Sequence, residues 1–293
     1  MFSMVQTHHG ISCSDIEQTK KVLRTIGFTE FQPGAPEPLI YTNVPDNPIG
    51  QVTAPILGDE YHTHYVENPD TGQQIDLIEI QPAALVPRPC VAPAQGDLVI
   101  GIPVDDPWAA FEAMQAADPD CAYSEPVEVP EENGIRFIWR DGQHSILTRN
   151  PEPFAILHYS TEDFPKARRF YEEVLQVPVT PLEDRGDGVD RYQMQGIKGR
   201  MDIEVRADTK RLDLRAWGKH YPSANHFRLV ERDIAHIEKA IVETGLGGYV
   251  IPPFGGFVFI HGPTSETIEM FDKSFNPMAM AGDGAGNDSQ AAE

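Results

Sequence analysis

The chain has 293 residues, of which 40% are hydrophobic, and a formal net charge of −22 at pH 7. This acidity opposes binding to nucleic acid and to anionic membranes, because no Lys/Arg cluster offsets it. No apolar run approaches the roughly 18 residues that a membrane span needs, and residues 1–10 lack the basic and apolar regions of a signal peptide, so we expect a cytoplasmic protein.

The first part of the chain indicates a strand, a helix and three further strands. It opens with His8–Asp15, in which a His precedes a strand-like run and an Asp that can cap a helix. The helix is predicted from about Ile16 to Thr25, because its apolar residues have helical spacing. Three strand-like runs follow, around Leu39–Val44, Thr63–Glu67 and Gln74–Ile80. We place this first unit at residues 1–80 and a proline-rich linker at residues 81–96.

The same order of elements recurs three times along the rest of the chain. Unit two spans residues 97–150, unit three residues 151–207 and unit four residues 222–275. Unit four opens with Asn225–Asp233, which repeats the pattern of a His, a strand and a capping Asp seen in unit one. The small and polar residues at 276–293 predict a disordered tail.

Repeated units of this size predict an α+β fold. Each unit of about 50–80 residues is too small to bury its own sheet face, so the units should pack in pairs. Four such βαβββ units would form paired, curved, mixed sheets around a shared cavity.

Candidate metal ligands stand at matched positions in the first and last units. His8 and His226 each lie on a strand whose alternate residues are apolar, so we expect both to point away from the face that packs under a helix. An acidic residue interrupts the apolar run that closes each unit: Glu269 in unit four, and Asp76 or Glu79 in unit one. Two His with one or two carboxylates suit one Fe(II), Mn(II), Co(II), Ni(II) or Zn(II) ion.

The sequence resembles the vicinal oxygen chelate superfamily, which includes glyoxalase I, methylmalonyl-CoA epimerase, extradiol ring-cleaving dioxygenases and fosfomycin-resistance proteins. The most specific parts of the resemblance are His8–Asp15, Asn225–Asp233, Glu67–Leu77 and His261–Met270. It implies a divalent metal between two paired units, each giving a His from its first strand and a Glu or Gln from its last. It therefore implies His8, His226 and Glu269 as ligands, and the register of the family favours Asp76 over Glu79.

Ligands that are missing from the middle units imply how the units pair. The position that matches His8 holds Leu98 or Val99 in unit two, and Ile156 in unit three. Unit two also has Ile146 where an acid is expected, although unit three retains Glu204. We therefore expect units one and four to face each other, and units two and three to form a degenerate partner.

Further side chains are candidate functional groups. His158 keeps open a rival metal site with His226 and Glu269, which requires units three and four to pair, and it is otherwise a candidate substrate-binding group. Arg228 shares the strand face of His226 and is a candidate for holding a substrate carboxylate. Glu269 and His261 are the candidate catalytic groups. We expect a small-molecule substrate, and a monomer or a homodimer.

The number of ligands separates two reaction classes. If Asp76 binds, four protein ligands and a bidentate substrate fill an octahedron, which favours an isomerase, epimerase or lyase that stabilises an enolate-like intermediate. If Asp76 does not bind, the remaining two-His-one-carboxylate face leaves room for dioxygen, as in ring-cleaving dioxygenases. Those enzymes usually have a Tyr where this chain has Phe259. We prefer the non-oxidative class, and a non-catalytic binding or resistance protein is the third alternative.

Overall fold

The computed structural model describes residues 4–5, 8–30, 39–42, 60–81, 93–95, 97–210, 223–254, 257–264 and 267–272. Most of the linker predicted at 81–96 and all of the tail predicted at 276–293 lie outside these ranges. Within them, two large mixed sheets of nine and eight strands contain nearly all of the strands, and four α-helices accompany them. The predicted α+β class is confirmed.

The first sheet is built from units one and four. The elements of unit one are β1 (Met4–Val5), β2 (His8–Cys13), α1 (Ile16–Arg24), β3 (Thr29–Glu30), β4 (Leu39–Thr42), β5 (Glu60–Asn68) and β6 (Gln73–Gln81). Those of unit four, numbered in chain order, are β16 (Ser223–Arg232), α4 (Ile234–Thr244), β17 (Gly248–Phe254), β18 (Phe257–His261) and β19 (Thr267–Asp272). The strand order is β17-β18-β19-β16-β2-β6-β5-β3, with β4 also paired to β5. The opening strands β2 and β16 of the two units are antiparallel neighbours at its centre.

The second sheet is built from units two and three. Unit two contains β7 (Leu98–Pro103), α2 (Pro107–Ala117), β8 (Val127–Val129), β9 (Gly134–Trp139) and β10 (Gln143–Thr148). Unit three contains β11 (Phe154–Ser160), α3 (Phe164–Arg169), β12 (Val179–Pro181), β13 (Asp190–Met194), β14 (Ile197–Lys198) and β15 (Arg200–Arg206). The order is β12-β13-β15-β11-β7-β10-β9-β8, and β14 pairs separately with β1. Here too the opening strands, β7 and β11, are antiparallel neighbours.

Aspartates begin three of the four helices. The side chains of Asp15, Asp106 and Asp233 each accept a hydrogen bond from a backbone N–H in the first turn of the following helix. Such caps satisfy N–H groups that have no partner inside the helix. Asp163 precedes α3 without making this bond, and α3 continues directly into a π-helix at Phe170–Val174.

The helices cover one face of the sheets and bury an alternating set of strand residues. Ile11 and Cys13 of β2, with Ile75 and Leu77 of β6, are at most 2% exposed and belong to the main core. Residues between them in each strand point to the opposite face, because side chains alternate along a strand. Among the described residues, no helix is both long and apolar enough to cross a membrane.

Hydrogen bonds from side chains join the two sheets. Gln73 of β6 donates through Nε2 to the carbonyl of Gly101 in β7, at 3.1 Å. Asp141, in the turn between β9 and β10, accepts from both the backbone N–H and the hydroxyl of Ser14 at the end of β2, at 2.7 and 3.1 Å. Strand β2 is therefore tied to the other half of the molecule at its carboxyl end.

Candidate functional site

The first and last strands of each unit are parallel neighbours, so the units have comparable registers. In the first sheet, Gly10 pairs with Asp76, and Arg228 pairs with Glu269. Gly10 and Arg228 each lie two residues after the candidate His of their unit. Asp76 and Glu269 therefore occupy equivalent positions in units one and four.

The two carboxylates of β6 lie on opposite faces of the sheet and have different partners. Glu79 accepts a hydrogen bond through Oε2 from the backbone N–H of Ile16, at 2.8 Å, and so stabilises the start of α1 on the helix side. Asp76 alternates with the core residues Ile75 and Leu77, which places it on the other face. Asp76 is 4% exposed and Glu269 is 7% exposed.

The backbone register joins the strand of His226 to the strand pair that carries Asp76. His226 pairs with Gly10 across the centre of the sheet, and Gly10 pairs in turn with Asp76. The register shifts between Ala224 and His226, so β16 carries an irregularity just before the candidate ligand. The side chains of His8, His226, Arg228 and His261 lie outside the described part of the structure.

This arrangement fits a divalent cation in its chemistry. Burying two carboxylates is costly unless a positive charge or hydrogen bonds compensate them, and a metal ion supplies such a charge. Gly10 lies between His226 and Asp76 in the register of three neighbouring strands and has no side chain there. Glycine is common where a ligand approaches a strand closely. Among the side chains that the structure describes, no three His, Cys, Asp or Glu residues form a metal site, and this set does not contain the candidate histidines.

His158 does not join the first sheet, so the pairing of units three and four that the rival site with His226 and Glu269 requires is not observed. It lies on β11, whose neighbours are β7 and β15, whereas Glu269 lies on β19 in the other sheet. The imidazole is 2% exposed, and burial is the main cause of its lowered pKa. Its Nε2 atom lies 3.4 Å from Oε2 of Glu204 and 3.5 Å from Nη2 of Arg136.

Apolar side chains fill the equivalent positions of the second sheet. Val99, Ile146 and Ile156 form a small buried cluster together with Phe154. The ring of Phe154 lies directly over Gly101, the residue that corresponds to Gly10, and a Cβ added there would meet ring atoms at 2.4 Å. The second sheet therefore has no His at the positions that match His8 and His226, and Phe154 fills the position over the glycine that corresponds to Gly10.

Glu204 is the one acid retained at an equivalent position of the second sheet, and arginines neutralise it. It pairs with His158 in the strand register, as Glu269 does with Arg228. Its carboxylate lies 3.5 Å from Arg191 and 3.6 Å from Arg206. Burial alone would raise the pKa of Glu204, but the adjacent imidazole and the arginine charges lower it to about 2. A fixed ion network thus stands where unit four has its candidate ligand.

Two aromatic residues are strand partners of the carboxylates, and only Phe259 was identified from the sequence. Tyr65 of β5 is the strand partner of Asp76, and Phe259 of β18 is the strand partner of Glu269. The position next to Glu269 thus holds a residue without a phenol. Finding Tyr65 requires the register of β5 against β6, which depends on the geometry of the turn that joins them at residues 69–72.

Solved structures with the same fold include those of glyoxalase I from Zea mays. The wild-type enzyme has a TM-score of 0.61 and 13% sequence identity, with 92% of this chain and 93% of that chain covered. A single-residue variant of the same enzyme has a TM-score of 0.62 and 14% identity over the same shares of both chains. No protein-family model and no curated protein matches the sequence.

Proposed function

We propose that this chain, which has the vicinal oxygen chelate fold seen in glyoxalase I, is a metal-dependent isomerase, epimerase or lyase that acts on a small molecule. One observation carries the proposal: Asp76 and Glu269 occupy equivalent positions in the strand registers of units one and four. The opening strands of these units, β2 and β16, are neighbours in the sheet. It favours a ligand set with one His and one carboxylate from each of units one and four.

His8, His226, Asp76 and Glu269 would hold the ion. A divalent metal at this position would bind two adjacent substrate oxygens, acidify a neighbouring C–H bond and stabilise the negative charge that develops. Four protein ligands and two substrate oxygens would satisfy an ion that prefers six ligands, which would leave no position for dioxygen.

Other residues of the same sheet would bind the substrate and move protons. Arg228 lies beside Glu269 in the strand register, and its guanidinium is suited to a substrate carboxylate through two parallel hydrogen bonds. Glu269 and His261 are the groups proposed to accept and return a proton, because carboxylates and imidazoles do so near neutral pH. Because Glu269 is buried, it would limit the access of water to a substrate bound beside it.

A test of the ligand set compares two variants of strand β6. Asp76→Asn should weaken metal binding by at least roughly 100-fold, since changes outside the ligand shell alone cost about 10–100-fold. Glu79→Gln is the matched control, because Glu79 faces α1 and bonds to Ile16. Metal affinity is measured by competition with a chromogenic chelator. Equal loss in both variants, or no loss in Asp76→Asn, would contradict the assignment.

A ring-cleaving dioxygenase is the second candidate, and one feature favours it. Asp has a shorter side chain than Glu, so Asp76 reaches less far from its strand than Glu269. The protein is loaded with Fe(II) under argon and then mixed with aerated catechol or hydroquinone. If Asp76 completes the ligand set, no dioxygen should be consumed. Sustained oxygen uptake with either diol would transfer the proposal to the dioxygenase class.

A further inference from the structure

Two successive glutamines at the start of β6 have different surroundings. Gln73 is fully buried and donates through Nε2 to the carbonyl of Gly101 in the second sheet. Gln74 lies on the opposite face, on the side of Asp76, because side chains alternate along a strand. The amide of Gln74 is therefore on the face that carries the proposed metal ligands.

Gln74 is the middle residue of a row that crosses three neighbouring strands. Its register partner in β2 is the proposed ligand His8, and its register partner in β5 is Glu67. The next residue of its own strand on this face is the proposed ligand Asp76. Gln74 thus stands next to two of the four proposed ligands.

The contact with Glu67 fixes the orientation of the Gln74 amide. Nε2 of Gln74 donates to Oε2 of Glu67 at 3.1 Å. A carboxylate accepts hydrogen bonds but does not donate them, so the nitrogen of the amide must be the atom that faces Glu67. The acceptor of this side chain, Oε1, lies on the other arm of the planar group. The negative charge of Glu67 polarises the amide and makes Oε1 a stronger acceptor.

A histidine that binds a metal ion needs such an acceptor. One ring nitrogen binds the ion, and the other carries a proton that is almost always donated to an oxygen. This hydrogen bond fixes the tautomer and the orientation of the ring, and it makes the imidazole a stronger ligand. In the register of the sheet, the position beside His8 is that of Gln74.

We propose that Gln74 is a positioning residue for the metal site, in which Oε1 accepts the ring N–H of His8. Glu67 holds the amide from the other side, so the three residues form a chain of hydrogen bonds from a carboxylate through an amide to the imidazole. This inference rests on the proposed function, because it requires His8 to bind a metal ion.

Unit three contains a similar polar pair without a histidine. Asp202 of β15 stands at the position that matches Gln74, its partner in β13 is Gln193, and its partner in β11 is Ile156. An amide and a carboxylate are thus strand partners in both sheets, but in the second sheet they stand beside an apolar residue. Gln193 is therefore a matched control for an effect of Gln74 on the sheet alone.

Co(II) affinity of the full-length protein tests this role, by competition with a chromogenic chelator. Gln74→Met keeps the length of the side chain and removes its amide, so the affinity should fall by about 10–100-fold. Gln193→Met should leave the affinity unchanged.

Exchanging the two partners should restore the site. In the double variant Gln74→Glu with Glu67→Gln, the carboxylate on β6 can still accept the ring N–H, and the amide on β5 can still donate to that carboxylate. The Co(II) affinity of this variant should therefore lie within about threefold of wild type.

Proton exchange at the imidazole gives a measurement that a purely structural role would not change. In the Co(II) protein, ring N–H protons of ligating histidines give NMR signals far outside the usual range. Of the two signals expected from His8 and His226, one should exchange with water at least about tenfold faster in Gln74→Met, because its proton loses its acceptor. The other signal should not change, and Gln193→Met should change neither.

The outcomes separate this inference from the proposed function. Unchanged affinity or unchanged proton exchange in Gln74→Met would overturn the inference while the proposed metal site stands. An equal loss of affinity in Gln193→Met, or no recovery in the exchanged pair, would also overturn it, since the loss would then come from the sheet. A wild type that binds no Co(II) would overturn the proposed function and this inference with it.

Discussion

Gly101→Ala is predicted to destabilise the protein through a direct clash in the second sheet. A Cβ at this position would lie 2.4, 2.5 and 2.6 Å from three atoms of the Phe154 ring, where carbon atoms normally stay about 3.5–4.0 Å apart. The ring is 1% exposed, packs with Val99, Ile146 and Ile156, and carries the Arg200 guanidinium above it. It therefore has little freedom to move, and overpacking of this kind costs about 1–3 kcal/mol.

Urea denaturation followed by circular dichroism measures this loss. Gly248→Ala is the matched control, because a Cβ at Gly248 would meet no atom within 4 Å. Phe154→Leu alone should destabilise the protein. In the Gly101→Ala background the same change should recover part of the lost stability, because it removes the ring that clashes. The double variant should therefore be more stable than the sum of the two single changes predicts. If Gly101→Ala is as stable as Gly248→Ala, the close packing of Phe154 on this strand is refuted.

Three other changes have defined outcomes. Glu79→Gln should lower the free energy of unfolding by about 1–2 kcal/mol, because it weakens a charged hydrogen bond to the Ile16 N–H. Asp141→Asn should cost about 1 kcal/mol or more, since it removes the charge of the acceptor that holds Ser14 to the other sheet. Glu204 has a folded-state pKa of about 2, so its ionisation stabilises the fold above its unfolded pKa of about 4.3 and ceases to do so as pH falls through 2. The stability difference between wild type and Glu204→Gln should therefore shrink between pH 5 and pH 2.5, as measured by urea denaturation at several pH values.

Each of these changes also has a contradicting result. Loss of metal from Glu79→Gln would place this carboxylate on the cavity face. Asp184→Asn, in an exposed loop where the side chain bonds within its own turn, is the control for Asp141→Asn, and equal losses would deny a role in joining the sheets. A stability difference for Glu204→Gln that is constant with pH would show that the folded state does not depress the pKa of Glu204.

Local patterns were sufficient to predict the elements around the candidate site. An Asp seven residues after the candidate His marks a helix start in both end units, and Asp15 and Asp233 do cap helices through their side chains. Alternation along β6 separated Asp76 from Glu79, because Ile75 and Leu77 define the buried face. These signals depend on neighbours within a few residues, which a single sequence displays directly.

Features set by distant parts of the chain could not be predicted in the same way. The register shift next to His226 depends on how β16 fits β2, and these strands are far apart in sequence. The role of Glu79 depends on its distance to the start of α1. The contact between Arg136 and His158 becomes apparent only when β9 and β11 are brought into one sheet.

Metal content tests the central claim most directly, because the claim is that the site lies between units one and four of the first sheet. Protein purified without oxygen is analysed for bound elements as wild type, His8→Ala and His158→Ala, which change a histidine in each sheet. We predict about one equivalent of a divalent metal in wild type and His158→Ala, and strong depletion in His8→Ala. Metal retained by His8→Ala and lost from His158→Ala, or a wild type that binds none after loading, would contradict the account.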